Sequence, residues 1–123
     1  MRKLLLFLLL STLLVITSSV FAASNTLTWD YLDTDVATYG TTGFPIERKA
    51  EACIGTGAWS LLATPAATLR TYVDSAVVPG ITYCYRAYAE GPGGRSVASN
   101  TVARTVPFAV PIAPSGLTVV GGP

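Results

Sequence analysis

Pro79-Gly80-Ile81-Thr82-Tyr83-Cys84-Tyr85-Arg86-Ala87-Tyr88-Ala89 is the stretch whose reading decides the fold. A Pro-Gly bend opens it and a two-fold alternation follows. Tyr83, Tyr85, Ala87 and Ala89 fall on one face, and Cys84, Arg86 and Tyr88 on the other, as in a β-strand with one face buried. Outward from it the chain reads as short β runs separated by turn residues, with no sustained helical period. Leu27-Thr28-Trp29 alternates, with Trp29 directed inward. Residues 30–43, rich in Asp, Thr and Gly, read as loop. Phe44, Ile46 and Arg48 share one face of the next strand, buried at its start by Phe44 and Ile46, and Pro45, Glu47 and Lys49 share the other. Residues 51–57 form a turn region, 59–63 a short strand, and 69–73 another with Tyr72 in the core. Glu90-Gly91-Pro92-Gly93-Gly94 reads as a hairpin connection, and residues 97–102 as the last strand.

Taken in order, Ile46-Glu47-Arg48-Lys49, Trp59-Ser60-Leu61-Leu62, Thr71-Tyr72-Val73-Asp74, the opening stretch and Ser99-Asn100 resemble strands C, C′, E, F and G of a fibronectin type III module of the bacterial secreted kind. The resemblance implies an all-β, immunoglobulin-like sandwich of two antiparallel sheets. Trp29, Ile46, Tyr72, Tyr83 and Tyr85 are its expected core residues. Tyr83, just after the bend, is placed as a tyrosine corner whose hydroxyl bonds back to nearby backbone. Strands C and F are antiparallel neighbours in that fold, so Cys53, just past C, and Cys84, near the start of F, meet outside the pair. A bridge closing a loop of about 30 residues is worth roughly 3–4 kcal/mol on the chain-entropy model. The alternative is two unpaired thiols. Glu47 and Arg86 are placed to pair across C and F, and Asp74 to cap the turn after E.

The N-terminus speaks to compartment. Arg2 and Lys3 precede an apolar run over residues 4–16, and Val20-Phe21-Ala22 ends in a small-residue site. Residues 1–22 read as a signal peptide cut between Ala22 and Ala23, the alternative being an uncleaved anchor. The protein is then secreted or held at the cell surface, with no stable membrane span after cleavage. Cleavage removes Arg2 and Lys3, so the eight Lys and Arg of the chain fall to six against seven Asp and Glu, a net charge of −1. Without a basic cluster, nucleic acid is not an expected partner. Two Cys in an exported chain favour a disulfide.

The family's opening A strand has almost no room before residue 27. Residues 23–105 form the expected domain and residues 106–112, with Pro107 and Pro111, a stiff linker. Residues 113–123, beginning Ala113-Pro114-Ser115-Gly116-Leu117-Thr118-Val119-Val120, look like an A strand. Three readings stand: the tail opens a second module, it folds back beside strand B, or it self-associates by donation to another copy. Self-closure is awkward, because strand G ends at the pole opposite to where an A strand starts; seven linker residues span roughly 25 Å at full extension.

The chain contains no His. That rules out Ser-His-Asp and Cys-His arrangements and His-based metal sites. Asp30, Asp33 and Asp35 read as solvated loop acids, matching no calcium-loop pattern, and no cleft for paired glycosidase carboxylates is foreseen. The glycine run 90–94 is not followed by a strand-to-helix transition, so it cradles no phosphate. No catalytic residue, cofactor or metal is expected. Tyr88, with Trp59 and Tyr31 nearby, is the candidate surface site, open to a sugar or a protein. The functional expectation is a non-enzymatic spacer or interaction module toward an extracellular protein or polysaccharide surface, with a role in adhesion. The alternatives are an accessory module of a secreted polysaccharide- or protein-degrading hydrolase, recognisable by a reading frame running past Pro123, and a self-assembling surface subunit.

Overall fold

The computed structural model describes residues 22–123; the expected signal segment, but for Ala22, lies outside the described residues. Its elements are β1 (Asn25–Thr28), α1 (Asp33–Tyr39), β2 (Ile46–Lys49), β3 (Ser60–Ala63), β4 (Thr71–Asp74), β5 (Thr82–Ala87), β6 (Glu90–Gly91), β7 (Gly94–Arg95) and β8 (Val102–Thr105). One sheet has the order β3-β2-β5-β8, which is C′-C-F-G; the other is the pair β1-β4, which is B-E; β6 and β7 form a separate hairpin. All pairings are antiparallel. The expected immunoglobulin-like sandwich is present.

The alternation on β5 sets the core. Tyr83 and Tyr85 turn inward with Ile46 and Val106, and Leu27, Trp29, Leu62 and Tyr72 pack around them. Ile46 is fully buried, and burial of such a side chain is worth about 1.5–3 kcal/mol. The register Glu47↔Arg86 and Lys49↔Cys84 fixes what stands on the outer face of the larger sheet. At the bend before β5, Ile81 N–H donates to Val78 O at 3.2 Å, and Gly80 holds φ at 85°. A left-handed residue after proline defines this turn type.

Three expectations are corrected. The segment 30–43 is not all loop: α1 occupies its middle, with Asp33 and Asp35 in the first turn against the positive end of the helix dipole. Gly40, at φ 61°, ends it with an N–H to Val36 O, as an αL cap does. Seven residues are too few to register a helical period. Strand E begins at Thr71 rather than residue 69, so Asp74 sits inside it. Strand G is displaced towards the C-terminus, with β8 starting at Val102. Ahead of it the Ser96 and Ser99 hydroxyls accept the N–H groups of Ala89 and Ala87, each at 2.9 Å. The Ser96 and Ser99 N–H groups bond Ala89 O and Ala87 O, each at 2.8 Å. The serines therefore satisfy β5's continuation while Val97 bulges out, 90 % exposed. Lys49 is on the outer side as expected, and it is buried there: its ammonium donates to Cys53 O at 3.1 Å and Gly55 O at 2.5 Å.

Beyond β8, Val106 is still core, and the Phe108 ring lies over Gly80. Residues 107–123 pair with no strand, so the tail does not fold back beside β1.

Candidate binding surface

Cys53 and Cys84 are joined, with Cα atoms 5.1 Å apart. The bridge and the Lys49 hydrogen bonds pin the loop after β2 against the sheet, which places Trp59 over its outer face. The Lys49 ammonium lies 4.9 Å from the Trp59 ring centroid, and the Arg86 guanidinium 4.2 Å from it. Arg86 also lies 5.5 Å from Tyr88, over which Arg95 stands at 4.9 Å. The result is one stack, Trp59–Arg86–Tyr88–Arg95. Such contacts are worth roughly 0.5–1 kcal/mol each at exposed sites; they hold long side chains in place.

Charge on this face is only partly matched. Arg86 Nε–H donates to Glu47 Oε1 at 2.9 Å, the expected cross-strand pair, and Lys49 pairs with Glu51 at 3.2 Å. Arg95 has no carboxylate within ion-pair distance among the described residues. Burial works against the Glu47 carboxylate, but hydrogen bonding from Tyr88 and Arg86 and the charges of Arg86 and Arg95 outweigh it, holding its pKa below the usual value. The same contact with Glu47 raises the Tyr88 phenol. Glu47 is therefore held in its charged form at neutral pH.

Tyr31 is not part of the stack but shares a cavity with Tyr88. Its ring meets Phe44 edge-on at 5.0 Å and its hydroxyl bonds the Thr41 hydroxyl at 3.0 Å. Arg70 donates to Tyr31 O at 2.9 Å and lies over the Phe44 ring at 5.1 Å. Tyr31, Phe44 and Trp29 line a cavity of about 510 Å³ beneath the Ser96–Ser99 bulge, and Tyr88 and Arg95 line it too. Strip and cavity are thus contiguous through Tyr88 and Arg95. The Trp29 indole N–H is buried with no hydrogen-bond partner.

Sequence reading missed a polar cluster between the sheets. Asp74, 1 % exposed, accepts Arg48 Nη1–H at 2.8 and 3.1 Å and the Tyr85 hydroxyl at 2.8 Å. It also accepts Ala76 N–H at 3.1 Å, the turn-capping role expected of it. Asn25 donates to the Tyr85 oxygen at 2.8 Å and accepts from Arg104 at 2.6 Å. Burial, then the bond to Asp74 and its charge, push the Tyr85 phenol up to about 12 against the opposing Asn25 bond and Arg48 charge. Arg48, penalised by burial but bonded to Asp74, has its pKa raised. The corner is built as the resemblance implies: Val78 N–H donates to the Tyr83 hydroxyl at 3.0 Å. The only legible signal for the cluster was Arg48 on an inward face, where a charge demands a partner.

No group of three or more His, Cys, Asp or Glu able to hold a metal occurs among the described residues. No helix among them is long and apolar enough to cross a membrane, and a disulfide between sheet and loop suits an extracellular domain.

No protein-family model matches the sequence, and no curated protein matches it. Solved structures do. The fourth fibronectin type III domain of a human protein is 27% identical, with TM-score 0.54, covering 77% of this chain and 74% of that one. A fibronectin type III domain derived from a human protein is 15% identical, with TM-score 0.57, covering 85% of this chain and 79% of that one. A structure described as a myokine is 22% identical, with TM-score 0.56, covering 71% and 85%. Such domains are commonly non-catalytic modules, and nothing in the described residues points to catalysis. Sequence resemblance and solved neighbours converge on one architecture: this chain folds as a fibronectin type III domain.

Proposed function

We propose that the chain is an exported, non-catalytic interaction module that binds an acidic segment of an extracellular protein. The observation that carries this reading is the Trp59–Arg86–Tyr88–Arg95 stack, pre-positioned on an outer sheet face with Arg95 unmatched. Trp, Tyr and Arg are the residue types that dominate binding energy in protein interfaces. A stacked guanidinium is ready for bidentate pairing with a carboxylate at little cost in side-chain entropy. The adjoining aromatic-floored cavity supplies a place for an apolar anchor. A polysaccharide is less well served, since a sugar stacking on those ring faces has to displace a cation. Export is supported by residues 1–22 and by the disulfide.

The test is a nuclear magnetic resonance titration of the isotope-labelled protein with three probes: a Glu- and Leu-rich peptide, polygalacturonate and a neutral glucan. The peptide is expected to shift the Trp59 indole and the Arg86 and Arg95 Nε–H signals, and Arg95→Ser to weaken the response. Silence towards all three probes at low salt, or shifts unchanged by Arg95→Ser and Trp59→Ala, overturns the proposal.

A further inference from the structure

The smaller sheet is a pair, and among the described residues nothing covers the second edge of β1. The ladder to β4 shows which groups face that edge. Trp29 N–H bonds Arg70 O at 3.1 Å. Antiparallel pairs alternate between bonded and non-bonded, so Leu27 and Asn25 bond β4, in register with Tyr72 and Asp74. Thr26 and Thr28 then turn their N–H and C=O groups to the open edge. Beside it lies a slot of about 330 Å³ between the sheets, lined by Leu27, Trp29, Ile46, Tyr85 and Val102. Arg104 closes one end of the slot through its bonds to Ser24 O and Asn25 Oδ1. An unpaired edge beside a slot that opens towards the core is a template for another strand.

The same chain carries a segment with the complementary need. Residues 107–123 contain no charged side chain, and Leu117, Val119 and Val120 are each more than nine-tenths exposed. Leu117 and Val119 share one face of an extended run whose four residues, 117–120, match the length of β1. On its own chain the tail pairs with no strand. Val106 is buried and Phe108 packs on Gly80, so the tail leaves at the Asn25 end of β1. An antiparallel partner has to start at the Thr28 end. Residues 109–116 reach about 27 Å when fully extended, so pairing on the same chain needs the tail to run back along β1 and reverse, while the same length carries residues 117–120 out to a neighbouring copy.

We infer that the tail adds in trans, residues 117–120 of one copy pairing along the free edge of β1 of the next. Leu117 and Val119 enter the slot and Thr26 and Thr28 receive the new backbone bonds. Donor and acceptor lie on different parts of the surface, so the contact is head-to-tail and propagates.

Sedimentation velocity over a wide concentration range tests this on the exported protein. The weight-average mass is expected to climb with concentration past that of a dimer. Thr28→Pro removes an edge donor without touching the β4 ladder, leaving a chain that donates but does not accept. Leu117→Asp leaves one that accepts but does not donate. Each variant alone is expected to stay monomeric, and an equimolar mixture to stop at a one-to-one pair. A wild type that is monomeric throughout overturns the inference, as does association that persists in both variants or a mixture that grows beyond pairs. If Thr28→Pro does not fold, Leu117→Asp, at a fully exposed position, decides alone: persistence of wild-type assembly refutes the inference.

Discussion

Asp74→Asn is the sharpest perturbation of the fold. It keeps the side chain's shape and removes the charge that holds Arg48, the Tyr85 hydroxyl and the Ala76 N–H together. Removing one partner of a buried ion pair typically costs about 3–5 kcal/mol. The Arg48 side chain is 25% exposed, and water recovers part of that loss. Its remaining bond to Ala76 O, at 3.0 Å, recovers a little more. The expected cost is therefore about 2–3 kcal/mol, or roughly 10–20 °C in Tm for a domain of this size. Urea denaturation of the disulfide-intact protein, followed by Trp fluorescence, measures it. A double-mutant cycle with Arg48→Met isolates the pair, for which a coupling of about 1.5 kcal/mol or more is expected. A loss below about 1 kcal/mol, with no coupling to Arg48, refutes the claim that this cluster joins the two sheets.

Tyr83→Phe removes the acceptor of the Val78 N–H and is expected to cost roughly 1 kcal/mol or somewhat more; an unchanged urea midpoint argues against the corner. Reducing Cys53–Cys84, 31 residues apart, is expected to cost about 3–4 kcal/mol, read as a drop in Tm on adding reductant; Cys53→Ser/Cys84→Ser should match the reduced protein. Alkaline pH acts through Tyr85. Its phenol titrates at about 12 in the fold but near 10 when unfolded. The stability tied to its proton is complete below about pH 10 and is lost as pH rises towards 12. Because Tyr85→Phe has no such proton, the stability gap between wild type and variant should narrow over that window; a constant gap contradicts the assignment.

Much of the architecture was legible because it is written in local alternation. The run from Ile81 to Ala89 assigns inward and outward residues by parity alone, and the structure agrees at Tyr83, Cys84, Tyr85 and Arg86. What escaped is written in long-range pairing or in side chains that replace backbone. Asp74 finds Arg48 and Tyr85 only after three strands from both sheets assemble, and nothing adjacent to it announces that. Ser96 and Ser99 look like ordinary loop residues, yet their hydroxyls extend the ladder and displace the start of β8. Lys49 has outward parity, which fixes its face but not its burial; Trp59 and the disulfide-held loop cover it. For the candidate surface, parity put Tyr88 and Arg86 outside together. The stacking order through Arg86 and Arg95, and the cavity that Tyr31 shares with Tyr88, depend on how loops pack against the sheet.

The measurement that goes most directly to the central claim is calorimetric titration of the Glu- and Leu-rich peptide into wild type and Arg95→Ser at two salt concentrations. Binding that weakens with salt, and weakens by about tenfold, or 1.4 kcal/mol, in the variant, is the predicted result. Equal affinity for the two proteins, or no heat of binding to either at low salt, contradicts an interaction surface built on the Trp59–Arg86–Tyr88–Arg95 stack.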